Sequence, residues 1–459
     1  MRMGEGRQEH RITGGQDRPP VISEVVDYSR AGVLLENELR ELAEGGITEE
    51  TMSRDWQPAQ EQKFSPESEA LYDELEALIT EEWQQFTEAL VEDPVLRRYL
   101  QMKYKVEGRD LDVLMSAIQR QSEPYQDETE AFQELDSIRK RLGIEAGLRT
   151  FDALRCFKDQ IRTLYFFDTI REKIEKGDRV LEAGAGTGIL AIAAARTGAE
   201  EVEAIEINPV TAVFARRVIA RCEERGIIES GKVKIRLGDA AEYKPKKGEP
   251  SFDALISENL YTGQFHELQV QLNDYLLQFV DTSQDKIIPR AMVNGVELMD
   301  LLSELPPPKR FEVAQKTAVV VKDLGIDPRA PKGISDPKAY DVLQFTERQA
   351  VGMRNRIVKT IAKDGVIDSV VIFSLIQMSN RKGNFLRRNE SEFLGNDLAI
   401  MLQNPLAVKK GDRIEISISY RAGDRPGQAQ IRVKRFLPGG IPAEEVGNIW
   451  EQDALPRAA

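Results

Sequence analysis

The chain has 459 residues, a net charge of -14, 41% hydrophobic and 31% charged residues. This length predicts two or three domains. No apolar stretch approaches the roughly 18 residues of a membrane span, and the first ten residues lack a signal peptide's apolar core. Two cysteines, Cys156 and Cys222, exclude a disulfide framework and predict a cytoplasmic protein. Two histidines, His10 and His266, argue against a histidine-based metal site, and no metal is expected.

The negative charge is concentrated in the first third of the chain. Residues 1–150 hold 33 acidic and 18 basic side chains, so the remainder is about neutral. Neither part has the basic balance of a general nucleic-acid binder, and nucleic acid is not expected as a partner. The acidic part could attract a basic partner or form a solvated surface, and both interpretations stay open.

Composition and periodicity predict four regions. Residues 1–20 are polar and rich in glycine and proline, which predicts a disordered tail. Residues 21–147 show helical spacing of apolar side chains but no chemical motif, so they are predicted to form a helical domain of unassigned role. Residues 148–290 are predicted to form an α/β domain, and residues 291–459 an antiparallel β-barrel or sandwich.

Short β-rich runs alternate with helices in the third region, which indicates a parallel sheet with crossover helices. The strands are predicted at Arg179–Glu182, Glu201–Ile207, Lys232–Leu237 and Phe252–Ser257, with helices at Ile189–Arg196 and Pro209–Arg225. The fourth region is predicted to contain strands at Val293–Leu298, Phe311–Val321, Val366–Met378, Leu398–Val408 and Ile414–Tyr420. Its basic cluster Arg381–Arg388 is interpreted either as a solvated hairpin tip or as a contact for an acidic partner or RNA.

A glycine-rich turn follows the first predicted strand. In residues 178–188 a hydrophobic strand containing Glu182 leads into Gly184, Gly186 and Gly188 and then into a helix. Glycines there let the backbone turn tightly and approach a ligand closely. Because the spacing differs from the G-x-G-x-x-G of pyrophosphate-binding dinucleotide folds, it favours S-adenosylmethionine as the cofactor.

Acidic residues end the next two strands. Glu206 lies about 20 residues after the turn, where a carboxylate can accept hydrogen bonds from ribose hydroxyls. Asp239 ends the third strand and is predicted to face the adenine edge, with a turn or cap role as the alternative.

The fourth strand ends at Glu258, beside the predicted cofactor, and Glu267 follows nine residues later. On one uninterrupted helix the two would face apart by roughly 180°. They can converge only if the chain folds back, and Tyr261-Thr262-Gly263 is a plausible turn for this. Two converging carboxylates would suit a cationic acceptor such as a guanidinium, whereas the alternative is a pair of surface acids.

Together these motifs resemble the protein arginine methyltransferase family over roughly residues 150–435. Residues 257–267, SENLYTGQFHE, are similar to its double-glutamate loop, and Phe157–Thr163 resembles a segment whose arginine binds the cofactor's methionine carboxylate. The resemblance therefore implies this role for Arg162, catalytic roles for Glu258 and Glu267, and a Rossmann-like domain followed by a β-barrel. Since family members often dimerise, it also allows a homodimer.

Several residues depart from the family pattern on the acceptor side. Phe393-Leu394-Gly395 stand where a Thr-His-Trp tripeptide is usual, and Cys156 replaces a methionine. His266 is either a substitute for the missing histidine or a surface residue. Three functions therefore stay open: methylation of a protein or peptide guanidinium, methylation of a small guanidino or amino metabolite, and a cofactor-binding scaffold without catalysis.

Overall fold

The computed structural model describes residue 47, residues 51–52, 63–122, 150–325, 333–436 and 442–448. The predicted tail at residues 1–20 and much of the predicted helical region lie outside these ranges. Within the described ranges, every helix is too short or too polar to cross a membrane.

In the part of the chain that the structure describes, three α-helices precede the predicted α/β region: α1 (Pro66–Ala89), α2 (Pro94–Tyr104) and α3 (Gly108–Ser122). Ser65 caps α1 by accepting from the Ser68 N–H, and proline follows at the first helical position, which fixes where the helix begins. The side chain of Glu82 is buried on α1 and accepts a 2.5 Å hydrogen bond from Arg217, so this helix is tied to the α/β region by a charged contact as well as by apolar packing.

The α/β region is built around a five-stranded parallel sheet in the order β3-β2-β1-β4-β5. Its strands are β1 (Arg179–Ala183), β2 (Glu201–Glu206), β3 (Val233–Leu237), β4 (Ala254–Ser257) and β5 (Ile287–Ile288). The helices are α4 (Thr150–Lys158), α5 (Gln160–Lys173), α6 (Ile189–Thr197), α7 (Pro209–Glu224) and α8 (Gln269–Leu276). Strands β1 and β4 are adjacent at the sheet centre, so their carboxyl ends open onto one crevice.

The described residues of the C-terminal region form two antiparallel sheets. One has the order β7-β12-β10-β6-β8 with β11 paired to β10, and the other has the order β15-β14-β13-β9. Their bounds are β6 (Ala291–Met299), β7 (Ala318–Val320), β8 (Lys338–Gln344), β9 (Gly352–Thr360), β10 (Gly365–Gln377), β11 (Phe385–Leu386), β12 (Leu398–Val408), β13 (Arg413–Arg421), β14 (Gln430–Phe436) and β15 (Pro442–Gly447). Because β12 lies against β15 and β8 against β9, the two sheets adjoin at both edges, as in a barrel.

The predicted fold class is confirmed, but two predictions for the C-terminal region are wrong. Residues 311–321 were expected to form a strand, yet helix α9 (Pro307–Ala314) occupies the first part and β7 only the end. Prolines at the start of α9 favour a helix N-terminus, and this outweighs the local β propensity. The basic cluster Arg381–Arg388 is not a solvated tip throughout, because Arg388 is buried between two carboxylates, Asp397 and Glu297.

This buried cation gives a test of the barrel's stability. Replacing Arg388 by Met would leave the carboxylates of Asp397 and Glu297 buried without their guanidinium, at a cost of about 3–5 kcal/mol. We expect the denaturant midpoint to fall accordingly. The matched variant Arg381→Met removes an exposed guanidinium of the same segment and should change the midpoint little. Equal midpoints for the two variants would contradict the structural role assigned to Arg388.

Candidate active site

The glycine turn lies at the carboxyl end of β1. Gly184, Gly186 and Gly188 all have positive φ angles, of 82°, 53° and 83°. A side chain would strain each position, and a Cβ on Gly184 would lie only 3.1 Å from the Asn259 side chain. Helix α6 then begins directly after Gly188. The turn therefore presents bare backbone to the crevice.

Glu206 closes this turn from the neighbouring strand. Its carboxylate accepts hydrogen bonds from the backbone N–H groups of Gly186, at 2.8 Å, and Asn208, at 2.7 Å. Burial raises the pKa of Glu206 to about 7, although these backbone donors oppose the rise. A carboxylate has about four lone-pair positions, so Glu206 retains acceptor capacity for a ligand's hydroxyl groups.

A cavity with about 660 Å³ of empty space, including its mouth, adjoins the turn. It is lined by six of the residues predicted for the cofactor and the acceptor, namely Arg162, Glu182, Gly184, Gly186, Glu206 and Glu258. Asn259, which the sequence did not single out, also lines it. The lining further includes Cys156 and Phe157. The cavity therefore joins the glycine turn to the segment expected to hold the acceptor.

Buried polar groups in this cavity leave hydrogen-bonding capacity for a ligand. Glu182 is 1% exposed, and neither of its carboxylate oxygens has a well-formed hydrogen bond within the described residues. Burial and the charge of Glu206 raise its pKa well above the ordinary value. Arg162 likewise keeps its buried Nε without a partner in the described part of the chain. A ligand carrying an amino group and a carboxylate, such as S-adenosylmethionine, matches these unused groups.

Arg162 lies one turn into α5, where its other nitrogens are engaged. Its Nη2 donates to the carboxylate of Glu258, and its Nη1 donates to the Cys156 carbonyl at 3.1 Å. Burial raises the pKa of Glu258, and the adjacent guanidinium offsets part of that rise. The residue predicted to hold the cofactor and one predicted catalytic acid are thus in direct contact.

Three predicted residues, Gly188, Asp239 and Glu267, lie outside the cavity lining. Gly188 packs behind the turn, where an added Cβ would meet Ile219 on α7. Asp239 caps a short 3-10 turn by accepting from the Ala241 N–H at 2.8 Å, which is the alternative role considered for it. Its predicted contact with adenine stays a prediction.

The chain folds back between the two candidate acids, at the turn indicated by the sequence. A 3-10 turn over Thr262–Gln264 contains Gly263 with φ 67°, and His266 also has positive φ. Burial and the charge of Glu258 raise the pKa of Glu267 to about 7. The fold-back therefore leaves Glu267 within electrostatic range of Glu258.

The C-terminal region holds this turn in place. The Gly263 N–H donates to the Ser374 hydroxyl on β10 at 2.9 Å, and Ser374 donates in turn to Asn294 on β6 at 2.7 Å. Thr262 donates to the Asn396 carbonyl at 2.6 Å. All these contacts run to the six-stranded sheet or to its loops, so the antiparallel region shapes the position of Glu267.

A second set of contacts comes from the hairpin turn after β13. The Gly423 N–H donates to the Gln264 carbonyl at 2.7 Å, and the His266 N–H donates to the Asp424 carbonyl at 3.0 Å. The His266 ring itself is exposed and lies edge-on to Tyr261, with 5.2 Å between ring centroids. This geometry fits the interpretation of His266 as a surface residue.

Sequence reasoning missed several residues that position the site. Gln269 clamps the end of β4, donating to the Ser257 carbonyl at 2.8 Å and accepting from the Asn259 N–H at 2.8 Å. The carboxylate of Asp159 caps α5 by accepting from the Arg162 N–H and also accepts from Ser391 and from the Phe393 N–H. Asp159 thereby links the Arg162 helix to the segment that replaces the family tripeptide. No spacing in the sequence indicates these pairs.

Ligand binding should depend on the protonation of Glu206. Because ribose hydroxyls donate to the ionised carboxylate, we expect the affinity for S-adenosylhomocysteine, measured by calorimetry, to rise about tenfold between pH 6 and pH 8, around the pKa of about 7. Glu206→Gln should weaken binding and remove the pH dependence, whereas Asp239→Asn should retain it. An unchanged pH profile in Glu206→Gln would refute this role.

Parts of the chain are similar in sequence to known proteins. The family model of ribosomal protein L11 methyltransferase (PrmA) matches residues 163–236, which include the glycine turn and Glu206. An uncharacterized protein of Methanocaldococcus jannaschii is 30% identical over 143 residues, covering 31% of this chain and 51% of its own. An arginine N(omega)-methyltransferase of Streptomyces achromogenes is 42% identical over 62 residues, covering 14% of this chain and 17% of its own. The chain thus spans about half or less of the length of each of these relatives.

The structural similarity extends further along the chain. The PRMT1 enzyme-prozyme heterotetrameric complex of Trypanosoma brucei with AdoHcy has a chain that matches with a TM-score of 0.52 and 15% identity, covering 64% of this chain and 96% of its own. At this identity the match shows the fold alone. The predicted resemblance to protein arginine methyltransferases is thus confirmed at the level of the fold, and residues 163–236 match a methyltransferase family.

Proposed function

We propose that this protein is an S-adenosylmethionine-dependent methyltransferase that transfers a methyl group to a guanidinium nitrogen of a protein or peptide. One observation carries the proposal: Glu258 lines the cavity beside the glycine turn, and the fold-back at Gly263 leaves Glu267 within electrostatic range of Glu258. Two facing carboxylates are costly to keep charged together, and a cation between them removes that cost.

Different residues around the cavity would bind different parts of the cofactor. Gly184 and Gly186 would contact it through their backbone, and Glu206 would accept from the ribose hydroxyls. Glu182 would accept from the methionine ammonium group, and Arg162 would donate to the methionine carboxylate through its unused Nε–H. When bound there, S-adenosylmethionine supplies an electrophilic methyl group on a positively charged sulfur.

The two acids would orient the acceptor and offset charge. A guanidinium presents a planar set of N–H donors that suits carboxylates on two sides. Glu258, fixed by Arg162, would hold the acceptor in line with the methyl carbon. A bond from the guanidinium nitrogen to the methyl carbon would form as the carbon–sulfur bond broke, and the electron pair of the broken bond would go to sulfur. The nitrogen would then lose a proton, for which Glu267, with its pKa raised to about 7, is a candidate base.

One relative motivates a second candidate, a small guanidino acceptor. The streptomycete relative is named for methylating arginine, and Phe393-Leu394-Gly395 stand where the family tripeptide is usual. Comparing methyl transfer to free arginine and to arginine peptides separates the two acceptors. A scaffold without catalysis is less well supported, because both glutamates are present and approach each other.

Neutralising either acid should abolish most of the transfer. For Glu258→Gln and Glu267→Gln we expect the rate of methyl transfer to an arginine peptide to fall on the order of 10²- to 10⁴-fold. S-adenosylhomocysteine binding should be retained, since Glu258→Gln frees Arg162. The exposed acid Glu242 offers a control, and Glu242→Gln should transfer at the original rate. Full activity in Glu258→Gln would disprove the clamp.

The fold-back itself can be tested at Gly263. A Cβ there would lie 2.8 Å from the Phe265 ring and 3.2 Å from Ile372, at a positive φ. We expect Gly263→Ala to displace Glu267 and reduce methyl transfer by at least tenfold while the cofactor still binds. Gly248→Ala is a matched control, since Gly248 has φ 86° but nothing within 4 Å of an added Cβ. Similar losses in both variants would indicate a general effect of strain instead.

A further inference from the structure

The outward side of the four-stranded sheet is positively charged. Alternate residues of β9, β13 and β14 point outward, while the residues between them are buried or partly buried. The outward charged side chains, here called the basic face, are Arg354, Arg356, Arg413, Arg421, Arg432, Lys434, Glu415 and Glu445. Six cations and two acids give the face a charge of +4 in a chain whose net charge is -14.

Two arginines of this face are well exposed, and its cations outnumber its acids. The side chains of Arg356 and Arg432 are 69% and 64% exposed. Arg356 pairs with Glu415, whereas Glu445 lies 3.8 Å from both Arg432 and Lys434 and serves two cations. In the strand register Ser417 lies between Arg356 and Arg432. This small side chain leaves room for a chain laid across the sheet.

One end of the basic face adjoins the fold-back between the two candidate acids. Arg421 ends β13, and the turn that follows it contacts the fold-back through Gly423 and Asp424. Arg356 lies four residues along β9 from Gly352, the register partner of Arg421. At about 3.4 Å per residue this is roughly 14 Å. An extended peptide with its arginine near Glu267 would reach these cations within about four to eight residues.

We propose that the basic face binds an acidic segment of the protein acceptor, four to eight residues from the methylated arginine. This inference rests on the proposed function and adds the chemistry of the acceptor's flank. Charge complementarity supports an acidic peptide. On the described part of this face the aromatic side chain is Phe436, paired with Arg413 at the end away from Arg421, so bases of a nucleic acid would find no stacking platform near the acceptor site. The acceptor's guanidinium would thus contact the two glutamates, and its acidic flank would contact the cations of the basic face.

The test uses the full-length protein and two arginine peptides. They are identical except that the flanking positions carry glutamates in one and glutamines in the other. We expect KM for the glutamate peptide to be about three- to tenfold lower, with similar kcat, and the difference to shrink in high salt. Arg356→Gln/Arg432→Gln should raise KM for the glutamate peptide alone. The control Arg98→Gln/Arg109→Gln removes two exposed arginines of α2 and α3 and should change neither KM.

A binding measurement keeps this inference separate from the proposed function. Fluorescence anisotropy with a glutamate-rich peptide that lacks arginine tests the face even if no peptide is methylated. Binding that weakens in Arg356→Gln/Arg432→Gln and not in the control supports the face. Equal KM values for both peptides together with no anisotropy change would overturn it. So would tighter binding of an RNA oligonucleotide at the same arginines, or a dimer that dissociates only in the face variant.

Discussion

The repulsion between two nearby carboxylates is the constraint on which the candidate site depends. Glu258 is fixed at the end of β4 by Arg162, and the fold-back at Gly263 brings Glu267 within range of its charge. A fold does not place two acids together in a partly buried site without cost. The antiparallel region stabilises the arrangement through Ser374 and through the turn at Gly423, so neither half of the chain forms this site alone.

The sequence predicted the glycine turn and the fold-back, because residues close together in the chain determine both features. The strand–glycine–helix unit at residues 178–208 follows from hydrophobic runs and glycine spacing, and the structure has β1, α6 and β2 there within a residue or two. The fold-back was indicated by Gly263, because glycine is favoured where φ is positive. These features depend on neighbours within a few positions, which is why they can be read from one sequence.

The remaining features depend on partners that are distant in sequence. Ser374 lies 111 residues from Gly263 and 80 from Asn294, and no spacing rule relates them. Arg388 looked like part of an exposed basic cluster, but its carboxylate partners come from another strand and a loop. The basic face could not be predicted from the sequence for the same reason. Its arginines are scattered over three strands, and only strand register brings them together.

The most direct test of the acidic clamp is calorimetry of an arginine peptide binding to the S-adenosylhomocysteine complex at pH 6.5, in buffers of different ionisation enthalpy. With the pKa of Glu267 near 7, part of the protein holds a proton there, and an arriving guanidinium should expel it. We expect net proton release, and much weaker binding of a citrulline peptide, which is neutral and similar in shape. Equal affinities for the two peptides, without proton release, would contradict it.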